Sequence, residues 1–452
     1  SDIGGPVPGS CFALAREIFA EGIHLPAVRY VHKGEVNREV ERILAANSRT
    51  PELVLGDIRG QLGADRLGER RVIELVAKYG ENQILACFDQ LMASSEAQLR
   101  AAIAQWPDGR YEGERFLDND GITLNKPIRI HVVIDKEGDR IHFDYTGCDD
   151  QTLGPANIRP PLVQAALAYC LISQVDPNIA VNSGLLRVAE LKLREGSVVN
   201  PRYPASLNTY NPTVHAVIEA TLAALAPMVP DHARGDGCGS RSIIIGGRST
   251  RAGKGYVQYE IVGGGTGGRP GKDGMSGSAV HVSSSKIASV EIVESEFPTR
   301  VKRFELVQDS AGPGTFRGGL GVRREYTNLG EARFNIRSTK HEIAPMGVLG
   351  GGLAQTGKLT MKPGTADEKV LPSRYSDYPL KEGDVFRLET PGGGGFGDPF
   401  KRDAGRVVAD VNEGYVSPER AAADYGVVVL DKDGEWILDE AATKKRRGSL
   451  AP

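Results

Sequence analysis

The sequence predicts an α+β protein, with a helical N-terminal part followed by a β-rich, glycine-rich mixed α+β part. Three observations predict it. Apolar residues recur at helical spacing up to about Gln105, and they alternate with polar ones from Ile128 onward. Glycine supplies 56 of the 452 residues, in clusters without a fixed period. That share is well above the ~7% average, and such clusters mark tight turns and places where backbones approach closely.

The elements follow in order. After a Gly/Pro-rich opening from Asp2 to Ser10, His24 to Val31 reads as a strand. Glu35 to Ala46 reads as a helix with Val36, Val40, Ile43 and Leu44 on one face. Two long helices come next, Asp57–Tyr79 stopped by Gly80 and Asn82–Gln105 stopped by Pro107-Asp108-Gly109. Their short connection predicts an antiparallel pair. Ile84, Leu85, Phe88, Leu91, Met92, Leu99 and Ile103 of the second are expected in the core. Ile128–Ile134 and Ile141–Tyr145, joined by Lys136-Glu137-Gly138-Asp139, predict a hairpin with one buried face. Pro161–Val175 is an apolar helix. Asn211-Pro212 predicts a helix start with Asn at the cap and Pro in the first turn, ending near Pro227. Strands are expected at Ser242–Ile245 and Tyr256–Val262, then mostly short strands from Ile287, a helical pair within Asp403–Tyr425 and a loose polar tail from Lys444.

A chain of this length predicts roughly two to four domains. Composition shifts divide it into 1–126, 127–400 and 401–452. Net charge is −3, from 55 basic and 58 acidic side chains, so nothing favours a nucleic-acid groove or an anionic membrane. No apolar run approaches the ~20 residues of a membrane helix. Cys11, Cys87, Cys148, Cys170 and Cys238 are scattered without a CxxC pair, which predicts free thiols in a reducing cytoplasm. The chain opens on Ser1 in what reads as the middle of a domain, so further residues are expected upstream.

No GxxxxGK[ST] loop, GxSxG elbow or HExxH motif is present. Candidate chemistry therefore rests on smaller groupings. Asp2 and His24 flank glycines and offer oxygen and nitrogen donors for Zn or Mn, though one or two further ligands are required. His215 and Glu219 stand at i, i+4 and share one helix face. Near the helix start a neutral His215 suits a base, and a simply packed histidine is the alternative. His131 and His142 fall on one face of the hairpin, close to opposite, as a cross-strand pair or as solvated side chains. In Gly263–Gly274, consecutive amides at Gly264 and Gly265 form an anion nest or a plain connecting loop. Arg269 and Lys272 add charge there, beside Asp273. Thr390–Pro399 reads the same way but lacks basic residues.

Longer motifs stand in a fixed order: Gly56-Asp57-Ile58-Arg59-Gly60-Gln61 with Asp65–Arg71, Arg269-Pro270-Gly271-Lys272-Asp273-Gly274, Ser310-Ala311-Gly312-Pro313-Gly314 with Phe316–Val322, Thr390–Pro399, and Val416-Ser417-Pro418-Glu419 with Asp424–Val427. From Asp2 to Val429 this resembles the B-type subunit of the hydantoinase/oxoprolinase family. The resemblance implies a division of labour. An A-type partner with an actin-like ATPase fold binds ATP with Mg and phosphorylates a carbonyl or bicarbonate oxygen, and the B-type subunit completes the reaction. Hydantoinases and oxoprolinases hydrolyse a cyclic amide. The related acetone and acetophenone carboxylases join bicarbonate to a ketone, and a small additional subunit points to that branch. The resemblance places Asp2 at the edge of a His-x-x-Asp metal motif whose His would precede Ser1, and His24 where the carboxylase branch has a second His. The helix-face and glycine-loop readings, taken together with such an enzyme class, give expected catalytic roles to His215, Glu219 and Arg269, and expected substrate binding to Gly264, Gly265, Lys272 and Asp273. A scaffold that only positions the ATPase is the reading from a different class.

Overall fold

Three apolar cores, each with its own sheet or helix partners, organise the chain. The computed structural model describes residues 2–248, 253–283 and 287–449. It is mixed α+β, as the sequence predicts.

The N-terminal part holds a small hairpin, β1 (Val31–His32) and β2 (Glu35–Val36), and three helices: α1 (Arg38–Ala46), α2 (Pro51–Tyr79) and α3 (Glu81–Ile103). The expected strand over 24–31 is confined to its last residue. Asn37 caps α1 by accepting the amides of Glu39 and Val40. Gly80, at φ 86°, makes the reversal between α2 and α3. The core face expected on α3 is only partly realised. Leu99 and Ile103 are fully buried, whereas Leu85, Phe88 and Leu91 are exposed. The helix meets the rest of the chain through its C-terminal turns, where the Ser95 hydroxyl donates to the Ala180 carbonyl. Its earlier apolar residues, and Leu67, Val72 and Ile73 of α2, project beyond the core.

The first core is a four-stranded sheet ordered β3 (Gly109–Leu117), β4 (Ile128–Glu137), β5 (Arg140–Asp144), β6 (Ala189–Lys192), antiparallel except for β5–β6. Helices α4 (Pro160–Val175) and α5 (Tyr210–Leu225) cover its apolar face. This core runs from Leu99 to Met228 and so crosses residue 126. α5 lies on β3 so closely that a β-carbon at Gly113 would strike the Ala220 carbonyl. The start of α5 departs from the expected cap. Thr209 occupies that position, but its hydroxyl donates to the Pro155 carbonyl instead of capping the helix. Asn211 thus lies inside the helix.

The second core lies between two sheets. One is ordered β14 (Arg374–Leu380), β11 (Ala332–Ser338), β7 (Arg241–Arg248), β8 (Gly255–Ile261). The other is ordered β13 (Lys369–Leu371), β12 (Lys358–Met361), β15 (Val385–Glu389), β10 (Val322–Asn328), β9 (Thr299–Leu306). Phe386 of β15 stacks on Tyr326 at 4.8 Å and meets Phe334 of the facing sheet at 5.1 Å. A short helix, α6 (Val290–Glu296), precedes β9. The third core joins α7 (Ala404–Asn412) and α8 (Pro418–Tyr425), the expected late pair, with the β16 (Val429–Lys432) and β17 (Glu435–Leu438) hairpin. Of the tail expected to be loose, residues 444–449 are helical as part of α9 (Glu440–Ser449), where Arg447 donates to the carbonyls of Tyr425 and Arg402, and residues 450–452 lie outside the described residues. No described helix is long and apolar enough to cross a membrane.

The glycine excess is accounted for beside these cores. Extended stretches around residues 235–239, 264–268, 312–321, 347–352 and 392–397 run side by side and bond through their backbones. Gly265 donates to Pro391, Gly268 to Gly394, Gly319 to Thr266, Gly393 to Gly319, Gly312 to Gly393, and Gly395 to Gly352. The chains are too close for side chains. A β-carbon on Gly318 would lie 1.7 Å from the Gly393 carbonyl oxygen, and one on Gly267 would lie 1.8 Å from that of Gly235.

Candidate functional site

α5 carries Asn211, His215 and Glu219 at four-residue spacing. His215 is 5% exposed and Glu219 2%. Beyond Glu219 lies a buried charge cluster drawn from separate elements. Lys340, following β11, places Nζ 2.7 Å from Glu219 Oε2 and 3.4 Å from Asp236 Oδ2. Arg115 on β3 donates Nε to Asp236 Oδ2 at 2.8 Å. The Gly237 amide donates to Glu219 Oε1 at 3.2 Å, and the Met346 amide to Asp236 Oδ2 at 3.1 Å. Two cations thus balance two carboxylates, the condition under which buried charges are tolerated. Asp236 is anchored by the glycine bundle, donating its amide to Met346 and accepting that of Gly394. Lys340 holds a left-handed backbone at φ 65°, a strained conformation for a side-chain-bearing residue.

The environment separates the two carboxyls. Burial, and then the neighbouring Asp236 carboxylate, push Glu219 up to about 7. Burial opposes ionisation at Asp236 too, but Arg115 and Lys340 hold it down to about 2. Between the ordinary glutamate range and about 7, the folded chain therefore keeps a proton on Glu219 that the unfolded chain has released. Stability from this group is present at low pH and is lost as pH rises through that window. We expect the slope to be on the order of 1 kcal/mol per pH unit, and Glu219→Gln to flatten it. Melting curves of both proteins between pH 4 and 8 check this, and parallel profiles would refute it.

His215 faces a cavity of about 240 Å³, lined also by Asn211, Ser240, Ser242, Val280 and Ser283. Its Nδ1 has no hydrogen-bond partner among the described residues. Burial, and then His281, Arg241 and Lys340, hold the imidazole well below the usual histidine range, so the ring is neutral. His281 stacks edgewise on His215 at 5.9 Å, and its Nδ1 lies 3.1 Å from the Tyr169 hydroxyl. His281 also has a positive φ, 74°, and is driven down to about 3 by burial and Arg234.

The structure brings some expected site residues together and separates others. His215 and Glu219 share the site. Arg269 lies at an exposed turn, bonded backbone to backbone with Lys272, and lines a second cavity of about 50 Å³. Lys272 is exposed. Asp273 is tied to Arg402 at 2.6 and 2.9 Å. The Gly264 and Gly265 amides donate to Ser278 and Pro391, so they are taken up in the bundle and are not free to cradle an anion.

Asp2 is buried. Its carboxylate accepts the amides of Gly4, Gly9 and Arg49 and pairs with the Arg49 guanidinium at 3.1 Å, which fills its acceptor directions. His24 is exposed, with its ring 6.2 Å from Phe19. As placed, the two do not fit a Zn or Mn ion. Among the described residues no three His, Cys, Asp or Glu side chains are grouped to hold a metal. The expected cross-strand histidine pair is also not formed. His142 stands opposite Asp135, and His131 bonds Glu112.

Asp236, Lys340, Arg115, His281 and Tyr169 escape sequence reading. They come from a glycine loop, a strand end, a strand, a loop and a helix, with no spacing to join them. The only signal is Asp236 between glycines in Gly235-Asp236-Gly237.

Comparison with known proteins gives this geometry a context. The family described as hydantoinase B/oxoprolinase matches residues 1–399. A protein of Pseudomonas sp. (strain NS671) assigned as the B component of a D-/L-hydantoinase is 34% identical, over 96% of this chain and 75% of its own length. The β chain of the caprolactamase of Pseudomonas jessenii is 30% identical, over 99% of this chain and 78% of its own. The crystal structure of the ATP-dependent caprolactamase from that organism superposes with a TM-score of 0.89 at 28% identity, covering 99% of this chain and 78% of the other. A nucleotide-free acetone carboxylase structure superposes with a TM-score of 0.90 at 19% identity, covering 99% and 66%, and so shares the fold. With a family match over most of its length and relatives of this identity and coverage, the chain belongs to the hydantoinase B/oxoprolinase family.

Proposed function

We propose that this chain is the B-type subunit of an ATP-dependent enzyme that hydrolyses a cyclic amide. An A-type partner would bind ATP with Mg and activate the amide carbonyl by phosphorylation. The ring would then open beside His215 in the 240 Å³ cavity. The observation that carries the reading is the neutral His215 at that cavity, its Nδ1 without a hydrogen-bond partner among the described residues, with a balanced Glu219–Lys340–Asp236–Arg115 cluster on the same helix side. A neutral imidazole can accept a hydrogen bond from an attacking water and take up its proton. The fixed charges stabilise polar intermediates in a site shielded from bulk water.

Likeness to a caprolactamase in both sequence and structure favours hydrolysis over carboxylation, since the acetone carboxylase shares only the fold. The relatives are themselves named as components of multi-chain enzymes, which supports a partner. So do the exposed apolar side chains of α2 and α3, a kind of surface that marks association sites.

The test is reconstitution with the A-type partner, following ADP release and ring opening on hydantoins, lactams and 5-oxoproline. His215→Gln should lower turnover by about 100-fold or more while the complex still assembles. Bicarbonate-dependent ATP turnover on a ketone, without amide hydrolysis, would assign the carboxylase reaction instead. Substrate-stimulated ATP hydrolysis by this chain alone would end the proposed division of labour, and full activity in His215→Gln would favour a scaffold.

A further inference from the structure

Next to the His215 cavity lies the smaller one, about 50 Å³, and Val280 lines both. We propose that this small cavity is an oxyanion subsite that takes the phosphoryl group of the activated substrate, an assignment that rests on the proposed function.

Its walls carry positive charge and hydrogen-bond donors. Arg234 and Arg269 approach it from two separate segments. The Gly267 amide, on its wall, donates to no acceptor among the described residues, unlike the amides of Gly264, Gly265, Thr266 and Gly268 around it. Thr266 Oγ1 accepts the Met275 amide at 2.8 Å, which leaves its hydroxyl hydrogen to donate. His281, also on the wall, is neutral. Its Nδ1 bonds the Tyr169 hydroxyl, and in the tautomer where that hydroxyl donates, Nε2–H is a further donor.

One carboxylate lines the cavity, Asp273, and it is already neutralised. Arg402 grips both its oxygens, and the Arg317 amide donates to Oδ1 at 2.9 Å. Two guanidiniums with free amide and hydroxyl donors match a tetrahedral oxyanion. The cavity is too small for a ring, and the shared Val280 wall puts the anion position beside the place proposed for the ring. His281, bonded to Tyr169 and stacked on His215, stands between the two.

The same chemistry fits free inorganic phosphate, and the test separates the two sources. Inorganic phosphate is titrated calorimetrically into the full chain and into Arg234→Gln, Arg269→Gln and the double variant. Arg269 is exposed at a turn, so its substitution leaves folding intact, and melting curves verify the others. One phosphate per chain is expected, weakened at least about tenfold by each substitution. Arg38→Gln, at the exposed start of α1 and not part of the cavity lining, should bind as the parent does. No saturable binding, or equal binding by the double variant, overturns the subsite. In the reconstituted complex, phosphate should then inhibit ATP-dependent ring opening, and Arg234→Gln should need about tenfold more for the same inhibition. Binding without inhibition at saturation would make it a free-phosphate site off the reaction path and overturn the phosphoryl assignment. Ring opening that persists without any phosphate binding defeats this inference alone. Phosphate binding in a complex that opens no ring defeats the hydrolase reading instead.

Discussion

Gly393→Ala is expected to leave the C-terminal half of this protein unable to fold. The added β-carbon would stand 1.9 Å from the Thr266 carbonyl oxygen and 2.8 Å from the Gly267 nitrogen, both backbone atoms of a neighbouring thread. Side-chain repacking cannot relieve such a clash, because the obstacle is main chain. The threads would have to part, and the bonds from Gly393 to the Gly319 carbonyl and from Gly312 to the Gly393 carbonyl would go with them. A loss of more than about 4 kcal/mol follows, at the extreme of single substitutions. The same exchange at Gly63 or Gly68 should do the opposite. Both lie inside α2 with open space where a β-carbon would go, so alanine should add up to about 1 kcal/mol. Soluble yield and chemical denaturation of the three variants decide the matter. A Gly393→Ala protein that melts with the parent would show that the threads have room for a side chain.

The second large effect is expected at Lys340. Lys340→Met removes one of the two cations that balance Glu219 and Asp236, leaving Arg115 to serve both buried carboxylates. Breaking a buried ion pair from one side typically costs about 3–5 kcal/mol. Turnover in the reconstituted complex should fall as well. Measured at pH 8, above the titration of Glu219, adding Glu219→Gln to Lys340→Met should recover much of the stability, because the carboxylate left without its cation is gone. The double-mutant cycle therefore gives a coupling of at least about 1 kcal/mol. Additive losses would mean that the two side chains do not interact.

Much of the fold was legible because it rests on local periodicity and on stop signals. Gly80 ends α2, the Lys136–Asp139 turn joins β4 to β5, and both are where alternation and glycine placed them. The face of α3 misled because periodicity reports that a helix has an apolar side, not that this chain supplies its cover. Leu85, Phe88 and Leu91 satisfy the pattern and remain exposed. At the site, His215 and Glu219 were legible because one helix carries both. Lys340 and Asp236 were not, since only tertiary packing brings them to α5. The glycine segments were legible as places of close approach. Their amides were not, because whether an N–H is free depends on which carbonyl packs against it. Gly264 and Gly265 are bonded, while Gly267, two positions on, is left to face a cavity.

The threads of the glycine bundle also set an order of events during synthesis. Residues 392–397 are laid against 235–239, 264–268, 312–321 and 347–352, so the last of the five emerges from the ribosome long after the first. The first core, ending at Met228, has all its own strands and helices by then and can condense early. The bundle cannot, because its closing contacts are among the most distant in the chain, and such contacts form late. Asp236 takes its final backbone bond from Gly394, so the charge cluster around Glu219 is completed only when that last thread arrives. A nascent or prematurely terminated chain therefore lacks the finished cluster, and translation of the C-terminal third is the step that completes its geometry.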